Sequence, residues 1–134
     1  MVNLPSVEEM LKAGMHFGHR TNRWHPKMKP FIYADKKGIY IIDLYKSREK
    51  LAEAMEFMSQ LISEGKSVLF VGTKNQVKSG MKKMAEETGM PYIVGKWLGG
   101  YLTNFAVVKK SVQKYKDLVE AKTSGKLEKY TKNS

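Results

Sequence analysis

The feature that most constrains the fold is an alternation of helical and strand-like segments between residues 47 and 94. Apolar residues spaced three and four apart predict an amphipathic helix from Ser47 that ends at Gly65. The continuous apolar run SVLFVGT follows and is typical of a strand covered on both faces. A second amphipathic helix is predicted over residues 75–88, with a short strand at MPYIVG. This order favours βαβ crossovers and a parallel sheet, which is an α/β fold. For the chain as a whole we predict an α/β sheet of three or four strands.

Shorter elements are predicted before this core. PSVEEMLKAG indicates a short helix, because Ser6 and Glu9 can form a capping box and Gly14 suits the position after the last turn. The run FIYADKKGIYII places two apolar segments around DKKG, which predicts a β-hairpin.

After WLGGYLTN the apolar residues from Phe105 to Val119 alternate spacings of three and four, which indicates a narrow coiled-coil seam. We therefore predict the N-terminal part of an α/β sheet domain over residues 1–103 and an incomplete helical hairpin over residues 104–134. A returning helix would barely have begun at Ser134. We expect further sequence beyond it, or a partner that covers the exposed apolar surface.

Net charge is the strongest indication of the kind of partner. Lys and Arg number 24 against 13 Asp and Glu, a formal net charge of +11 with a pI near 9.7. Such an excess repels itself in the folded chain, and a polyanion offsets it, nucleic acid being the commonest. A Lys-rich solubilising surface stays open as an alternative. A membrane-surface helix is disfavoured because the basic residues are spread over loops and several helices.

The absence of certain segments bounds the location of the chain. No apolar run approaches the roughly 20 residues that span a bilayer, and MVNLPSVEE lacks the basic-then-apolar layout of a signal peptide. Cys is absent, so the sequence offers neither disulfides nor thiolate ligands. We predict a cytoplasmic protein that needs no membrane.

The stretch GMHFGHRTNRWHPKMKPF, residues 14–31 and called here the basic segment, holds the main candidate site. It contains every histidine of the chain and no acidic residue, and without a helical or strand period it is predicted to be an irregular loop. Arginine suits bidentate phosphate contact, and Trp24 offers an aromatic face for a base or an anchor into the core. An irregular basic loop suits structured RNA better than duplex DNA, since no major-groove recognition helix is visible. The candidate RNA-binding residues here are His16, His19, Arg20, Arg23, Trp24, Lys27 and Lys29.

A metal site is the alternative interpretation of the same segment. His16, His19 and His25 could supply three imidazoles, the number that a catalytic zinc uses. However, Gly18 separates the first pair in a stretch without helical pattern, and no carboxylate stands nearby as a partner. We therefore favour histidines that donate to backbone carbonyls or phosphates, and predict no metal.

The turn VGTKNQ is a second candidate site. Gly72, Thr73 and Lys74 follow a predicted strand and lead into a helix, where α/β proteins bind phosphates. The stretch matches neither phosphate-loop motif, so a tight turn with Thr73 as helix cap is the simpler interpretation. A small nucleotide-binding enzyme stays the alternative function. Otherwise no arrangement of nucleophile, base or paired carboxylates predicts an enzyme or a cofactor.

The turn KWLGGYLTNF is the third candidate. We expect Trp97 to pack between sheet and helix, whereas Tyr101 could either pack or stack on a base. Thr103 or Asn104 can cap the long helix that follows. The candidate RNA-binding residues outside the basic segment are Lys74, Lys96, Tyr101, Asn104, Lys109 and Lys110.

Five motifs in order resemble the small-subunit ribosomal protein two family of bacterial or organellar type: AGMHFGH, WHPKMKP, IIDL, FVGTK and WLGGYLTNF. The match runs from about Leu4 to about Thr131. It implies a flavodoxin-like parallel sheet, incomplete here, and a projecting coiled-coil hairpin of which the last helix is the start. The resemblance places His16, His19, Arg20, Arg23, Trp24, Pro26 and Lys27 in the basic N-terminal segment of the family. It places Trp97, Gly99, Gly100, Thr103, Asn104 and Phe105 in the family motif WLGGYLTNF.

The same resemblance implies a structural, non-enzymatic role. Members lie on the back of the small ribosomal subunit between head and body, contact its rRNA and neighbouring proteins, and join late in assembly. They are also implicated in recruiting the large mRNA-binding ribosomal protein one. We therefore predict a structural constituent of the cytoplasmic or an organellar ribosome that binds rRNA through the basic segment and supports assembly and translation.

Overall fold

The computed structural model describes residues 3–125 of the chain, which divides into two compact units, Met1–Val68 and Leu69–Ser134. The predicted boundary after residue 103 stays a prediction. The first unit contains α1 (Val7–Lys12), β1 (Phe17–Arg20), a 3₁₀ helix (Pro26–Phe31), β2 (Ile32–Lys36), β3 (Ile39–Ile42) and α2 (Leu44–Ser63). The second contains β4 (Phe70–Val71), α3 (Asn75–Thr88), β5 (Tyr92–Ile93) and α4 (Phe105–Thr123).

Helix α1 has both predicted ends. The Glu9 N–H donates to the Ser6 hydroxyl over 3.1 Å and the Ser6 N–H donates to the Glu9 carboxylate over 2.7 Å, so the capping box is confirmed. Gly14 follows the helix in the left-handed region with φ +74°. Met10, only 2% exposed, is the residue of α1 that reaches the core, and α1 packs against α2.

The predicted hairpin is confirmed as β2 and β3, with Asp35 opposite Tyr40. Lys37 and Gly38 both have positive φ, at 54° and 77°, as the tight two-residue hairpin turn requires. The Asp35 carboxylate accepts from the Gly38 N–H over 3.1 Å and stabilises this turn.

The prediction that the basic segment is an irregular loop was wrong for much of its length. Its residues 17–20 form β1, which pairs antiparallel with β3 and gives the sheet order β1-β3-β2, and its last six residues form the 3₁₀ helix. A register shift interrupts the pairing inside β1. A short, bulged edge strand held by long-range backbone pairing leaves no alternating pattern in the sequence.

Helix α2 begins at Leu44, three residues before the predicted Ser47, because Asp43 caps it. One Asp43 carboxylate oxygen accepts from the N–H groups of Tyr45 and Lys46 over 3.0 and 3.3 Å. The prediction followed the apolar period, which starts later than the cap. At the other end, Gly65 takes a left-handed conformation directly after the C-cap, as expected.

The second unit contains the predicted parallel crossover, with β4 and β5 paired in parallel and α3 between them in the chain. Helix α3 has the predicted bounds. The expectation of a strand covered on both faces was wrong for the described residues, where β4 is two residues long and Val71 is 44% exposed. A sheet of two described strands with α3 packed on it covers less of β4 than the apolar run predicts.

The two predicted side-chain caps in this unit are not formed. Lys74, rather than Thr73, occupies the N-cap of α3, and Asn104 occupies that of α4, both without a side-chain capping bond. Along the predicted seam of α4, Phe105 and Tyr115 are 58% and 68% exposed. The returning helix of the predicted hairpin falls beyond residue 125, outside the described residues. Among the helices described, none combines the length and apolarity needed to cross a membrane.

Gly18 is the position where the sheet tolerates no side chain. A Cβ built there would lie 2.8 Å from the carbonyl oxygen of Tyr40 on β3. We expect Gly18→Ala to lower the free energy of unfolding by about 1–3 kcal/mol, because the backbone of β1 must move away from β3. Urea unfolding followed by circular dichroism measures this.

Gly80 in α3 is the contrasting control, since a Cβ added there meets nothing within 4 Å. Gly80→Ala should stabilise the chain by about 1 kcal/mol through helix propensity. Equal stability of Gly18→Ala and the parent chain would contradict the close approach of β1 and β3.

Candidate nucleic-acid interface

The first half of the basic segment is fixed by backbone hydrogen bonds to the hairpin. The Ile42 N–H donates to the His16 carbonyl over 2.8 Å, and the Thr21 N–H donates to the Gly38 carbonyl over 3.0 Å. The Arg23 N–H then donates back to the Arg20 carbonyl over 2.8 Å, which closes a turn at the end of β1. These bonds hold the backbone that carries both arginines in one conformation.

The second half of the segment is held by the start of α2. The Asp43 N–H donates to the Phe31 carbonyl over 2.9 Å, and the Lys46 ammonium donates to the Pro30 carbonyl. At the beginning of the 3₁₀ helix, His25 Nδ1 accepts from the Lys27 N–H over 3.2 Å. The imidazole of His25 therefore serves as a helix cap, a role that the sequence did not indicate.

The positive side chains of the segment point to solvent and lack acidic partners among the described residues. Its four Lys and Arg residues, together with His19, are exposed, and none of the four forms an ion pair with residues 3–125. The ion pairs that do form lie elsewhere, for example between Lys50 and Glu53 on α2. The exposed set is His19, Arg20, Arg23, Lys27 and Lys29.

His16 differs from this exposed set. It is half-buried, with its ring centroid 4.1 Å from that of Phe17, and its Nδ1 is buried with no hydrogen-bond partner in the described protein. The sequence favoured histidines that donate to backbone carbonyls or to phosphates, and no carbonyl of the described residues accepts from this nitrogen. Across residues 3–125 no three His, Asp or Glu side chains approach one another closely enough to hold a metal ion.

Trp24 connects the basic segment to the hairpin. It is half-buried, and its ring centroid lies 4.8 Å from that of Tyr40 with the planes tilted by 51°. Trp24 also lines an open pocket of about 560 Å³. It therefore anchors the segment and also contributes to a concave surface. This aromatic pocket is lined by Trp24, Pro26, Lys29, Ile32, Ala34, Asp35 and Tyr40.

Three residues near the segment were not among the sequence candidates. Lys46 holds Pro30, whereas Asp35 and Tyr40 line the aromatic pocket. The hairpin prediction contained part of the signal, because a two-residue turn at Lys37 and Gly38 places Asp35 opposite Tyr40. Lys46 donates to a carbonyl 16 residues away, and a contact between residues so far apart gives no local sequence pattern.

The Gly72 turn of the second unit is explained by packing. A Cβ on Gly72 would lie 3.1 Å from Met81 and 3.2 Å from Val77, so a glycine lets β4 approach α3. Lys74 and Thr73 are exposed at the start of that helix. The turn therefore needs no bound phosphate to account for its glycine.

The remaining candidates lie within the second unit. Trp97 is 38% exposed and meets Tyr101 edge to face at 5.0 Å and 74°, so the two rings pack on each other. The Lys109 ammonium lies 5.6 Å from the centre of the Phe105 ring. The polar candidates Lys74, Lys96, Asn104, Lys109 and Lys110 are all exposed.

Comparison with known proteins identifies similar chains. A family model described as Ribosomal protein S2 matches residues 10–134. A protein named small ribosomal subunit protein uS2 from Coprothermobacter proteolyticus is 50% identical over 123 residues, which are 92% of this chain and 46% of that protein.

Proteins of the same name from two other bacteria have similar sequence identity to this chain and similar coverage. The one from Koribacter versatilis is 49% identical over 128 residues, 96% of this chain and 42% of its own. The one from Fusobacterium nucleatum is 44% identical over 132 residues, 98% of this chain and 53% of its own. The chain thus spans about half the length of the curated relatives it matches.

The Lys46 contact gives a test of how the segment is held. The substitution Lys46→Met removes the ammonium that donates to the Pro30 carbonyl. Loss of a hydrogen bond from a charged group lowers stability by about 1–3 kcal/mol, and by less at an exposed site such as this one. We expect trypsin cleavage after Arg20, Arg23 and Lys27 to become about three- to tenfold faster, measured by mass spectrometry of early fragments.

Lys50→Met on the same helix is the matched control, because the Glu53 carboxylate binds this ammonium and raises its pKa. It removes the same charge and the same trypsin site type without touching the segment. Equal cleavage rates in the two variants would contradict the role of Lys46.

Proposed function

The chain belongs to the ribosomal protein S2 family, and on that premise we propose that it is a structural constituent of the small ribosomal subunit. The family consists of ribosomal proteins and not of enzymes. We propose further that the chain binds small-subunit rRNA through the basic segment and so supports subunit assembly and translation.

One observation carries the RNA-binding proposal. Arg20, Arg23, Lys27 and Lys29 are exposed, and no acidic side chain within residues 3–125 pairs with them. Each phosphate that they neutralise releases condensed counterions, which supplies most of the sequence-independent affinity for nucleic acid. Since backbone bonds already order the segment, little conformational entropy is lost on docking.

The shape of the segment favours folded RNA over duplex DNA. An edge strand, a tight turn and a 3₁₀ helix present the charges, whereas readers of the DNA major groove insert a helix or a β-ribbon. Irregular basic surfaces match the varied phosphate positions of structured RNA. We therefore propose rRNA as the polyanion that offsets the net charge of +11.

A second set of contacts is proposed on the other unit. Before Asp117, helix α4 carries four lysines and no acidic residue. This N-terminal part of the helix therefore suits a phosphate backbone. The proposed residues are Lys74, Lys96, Tyr101, Asn104, Lys109 and Lys110. His16, His19 and Trp24 complete the proposed set in the basic segment. His16 packs on Phe17, His19 is exposed beside Arg20, and Trp24 lies at the pocket.

The roles of the whole relatives extend this proposal. Because the chain covers about half of their length, we propose that its parallel strands belong to a larger flavodoxin-like sheet and that α4 is one arm of a coiled-coil hairpin. Neighbouring small-subunit proteins, including the large mRNA-binding ribosomal protein one, are the proposed protein partners. The proposed location is the ribosome of the cytoplasm or of an organelle.

The salt dependence of RNA binding tests the basic segment. We expect Arg20→Ala combined with Arg23→Ala to weaken binding to small-subunit rRNA and to flatten the slope of log affinity against log salt by about 1.5–2. Filter binding between about 50 and 200 mM salt measures this. The reason is the loss of two phosphate contacts.

Lys82→Ala with Lys83→Ala removes the same charge from α3, where each lysine lies 3.9 Å from a glutamate. This control should keep the parent slope. If the two double variants bind alike, net charge alone binds the RNA and the segment has no special role. Co-sedimentation through a gradient then tests whether the chain associates with small ribosomal subunits.

A further inference from the structure

The aromatic pocket, lined in part by Trp24, Tyr40, Lys29 and Asp35, adjoins the charged residues of the basic segment. We propose that this pocket binds one unpaired guanine base of the RNA whose phosphates the segment contacts. The inference rests on the proposed function and deepens it, because it assigns a base-reading site beside a phosphate-binding one. Its volume of about 560 Å³ lies within the range of about 300–1,000 Å³ typical of ligand pockets.

The pocket offers the surface on which bases stack. Trp24 and Tyr40 supply aromatic rings, while Pro26 and Ile32 supply apolar walls. Single-stranded RNA is recognised mostly through unstacked bases that lie on aromatic side chains, and each such contact stabilises the complex substantially. The planes of the two rings are tilted by 51°, so the rings do not stack face to face on each other.

The charges of the pocket distinguish between a base and a phosphate. Lys29 suits the phosphate of the bound nucleotide, and Asp35 is the acidic residue among the described lining. A carboxylate repels phosphate but accepts hydrogen bonds from base N–H groups. The pocket therefore fits a nucleotide with its phosphate toward Lys29 and its base edge toward Asp35.

Asp35 selects guanine among the four bases. Guanine presents two neighbouring N–H donors, N1–H and the exocyclic amine, which match the two oxygens of a carboxylate. Adenine and cytosine place an acceptor beside their amine, and uracil flanks its one N–H with carbonyls. The Gly38 N–H donates to one Asp35 oxygen and fixes the carboxylate, which keeps acceptor sites on both oxygens.

Strand pairing and backbone hydrogen bonds hold the walls of the pocket in place. Asp35 and Tyr40 are opposite each other across the hairpin, and Trp24 is held between the turn at Arg20 and the 3₁₀ helix at Pro26. A preformed pocket loses little side-chain entropy on binding, so a single base contributes a measurable share of the affinity.

Fluorescence tests the pocket without altering it. In a Trp97→Phe background Trp24 is the remaining tryptophan of the chain. We expect the RNA heptamer UUUGUUU to quench Trp24 emission and to bind about fivefold or more tightly than UUUUUUU, UUUAUUU or UUUCUUU at low salt. Equal affinity for the four heptamers, or unchanged emission on binding UUUGUUU, overturns the proposal.

Substitutions identify the groups responsible. Trp24→Leu should remove the preference for UUUGUUU while leaving the salt slope for UUUUUUU unchanged. Asp35→Asn keeps an oxygen that accepts from the Gly38 N–H but loses the second acceptor, so the preference should fall while the hairpin stays folded. Tyr33→Leu, an exposed aromatic of β2 outside the pocket lining, is the matched control and should keep the preference.

The outcomes separate this inference from the proposed function. Salt-dependent binding of UUUUUUU without any guanine preference overturns the pocket but supports the basic segment. A guanine preference that survives in Trp24→Leu also overturns the pocket. If the parent chain binds none of the RNAs, both the pocket and the proposed function are overturned.

Discussion

The arrangement of the basic segment depends on the backbone pairing of β1 with β3. This pairing converts a stretch without sequence period into a fixed edge strand, and it requires Gly18, where an added Cβ would lie 2.8 Å from the Tyr40 carbonyl oxygen. With β1 in place, the turn after Arg20 brings Trp24 onto Tyr40 and starts the 3₁₀ helix. The charged surface is therefore a product of tertiary structure, although its composition is visible in the sequence.

The positive charges of the basic segment destabilise the folded chain, and they favour the proposed binding of a polyanion. Four cations without described acidic partners repel one another, and the many backbone bonds around them keep the segment ordered despite that repulsion. A surface salt bridge would have relieved the repulsion at little gain in stability. Leaving the charges unpaired keeps them available to a polyanion, which is the physical basis of the proposal that they bind rRNA.

The sequence predicted those elements that are encoded locally. The capping box of Ser6 and Glu9, the hairpin turn and the bounds of α3 were all confirmed, because each depends on residues within a few positions of one another. Strand β1, the full extent of α2 and the pocket at Tyr40 were missed or misplaced. The pairing of β1 and the contact from Lys46 act across larger separations, where periodicity gives no signal. The Asp43 cap is local, and it was missed because the prediction followed the apolar period, which starts after it.

The hairpin turn at Lys37 and Gly38 sets how β2 is aligned with β3, whereas β1 is aligned with β3 by its own bulge. An insertion of one residue in that turn would slide Asp35 away from Tyr40, and it would also disturb the bond from the Thr21 N–H to the Gly38 carbonyl at the end of β1. A change in loop length at this single point would therefore act on the proposed base pocket through Asp35 and on the proposed phosphate contacts through Thr21. The length of this one loop thus sets the spacing between the proposed pocket and the arginines beside it.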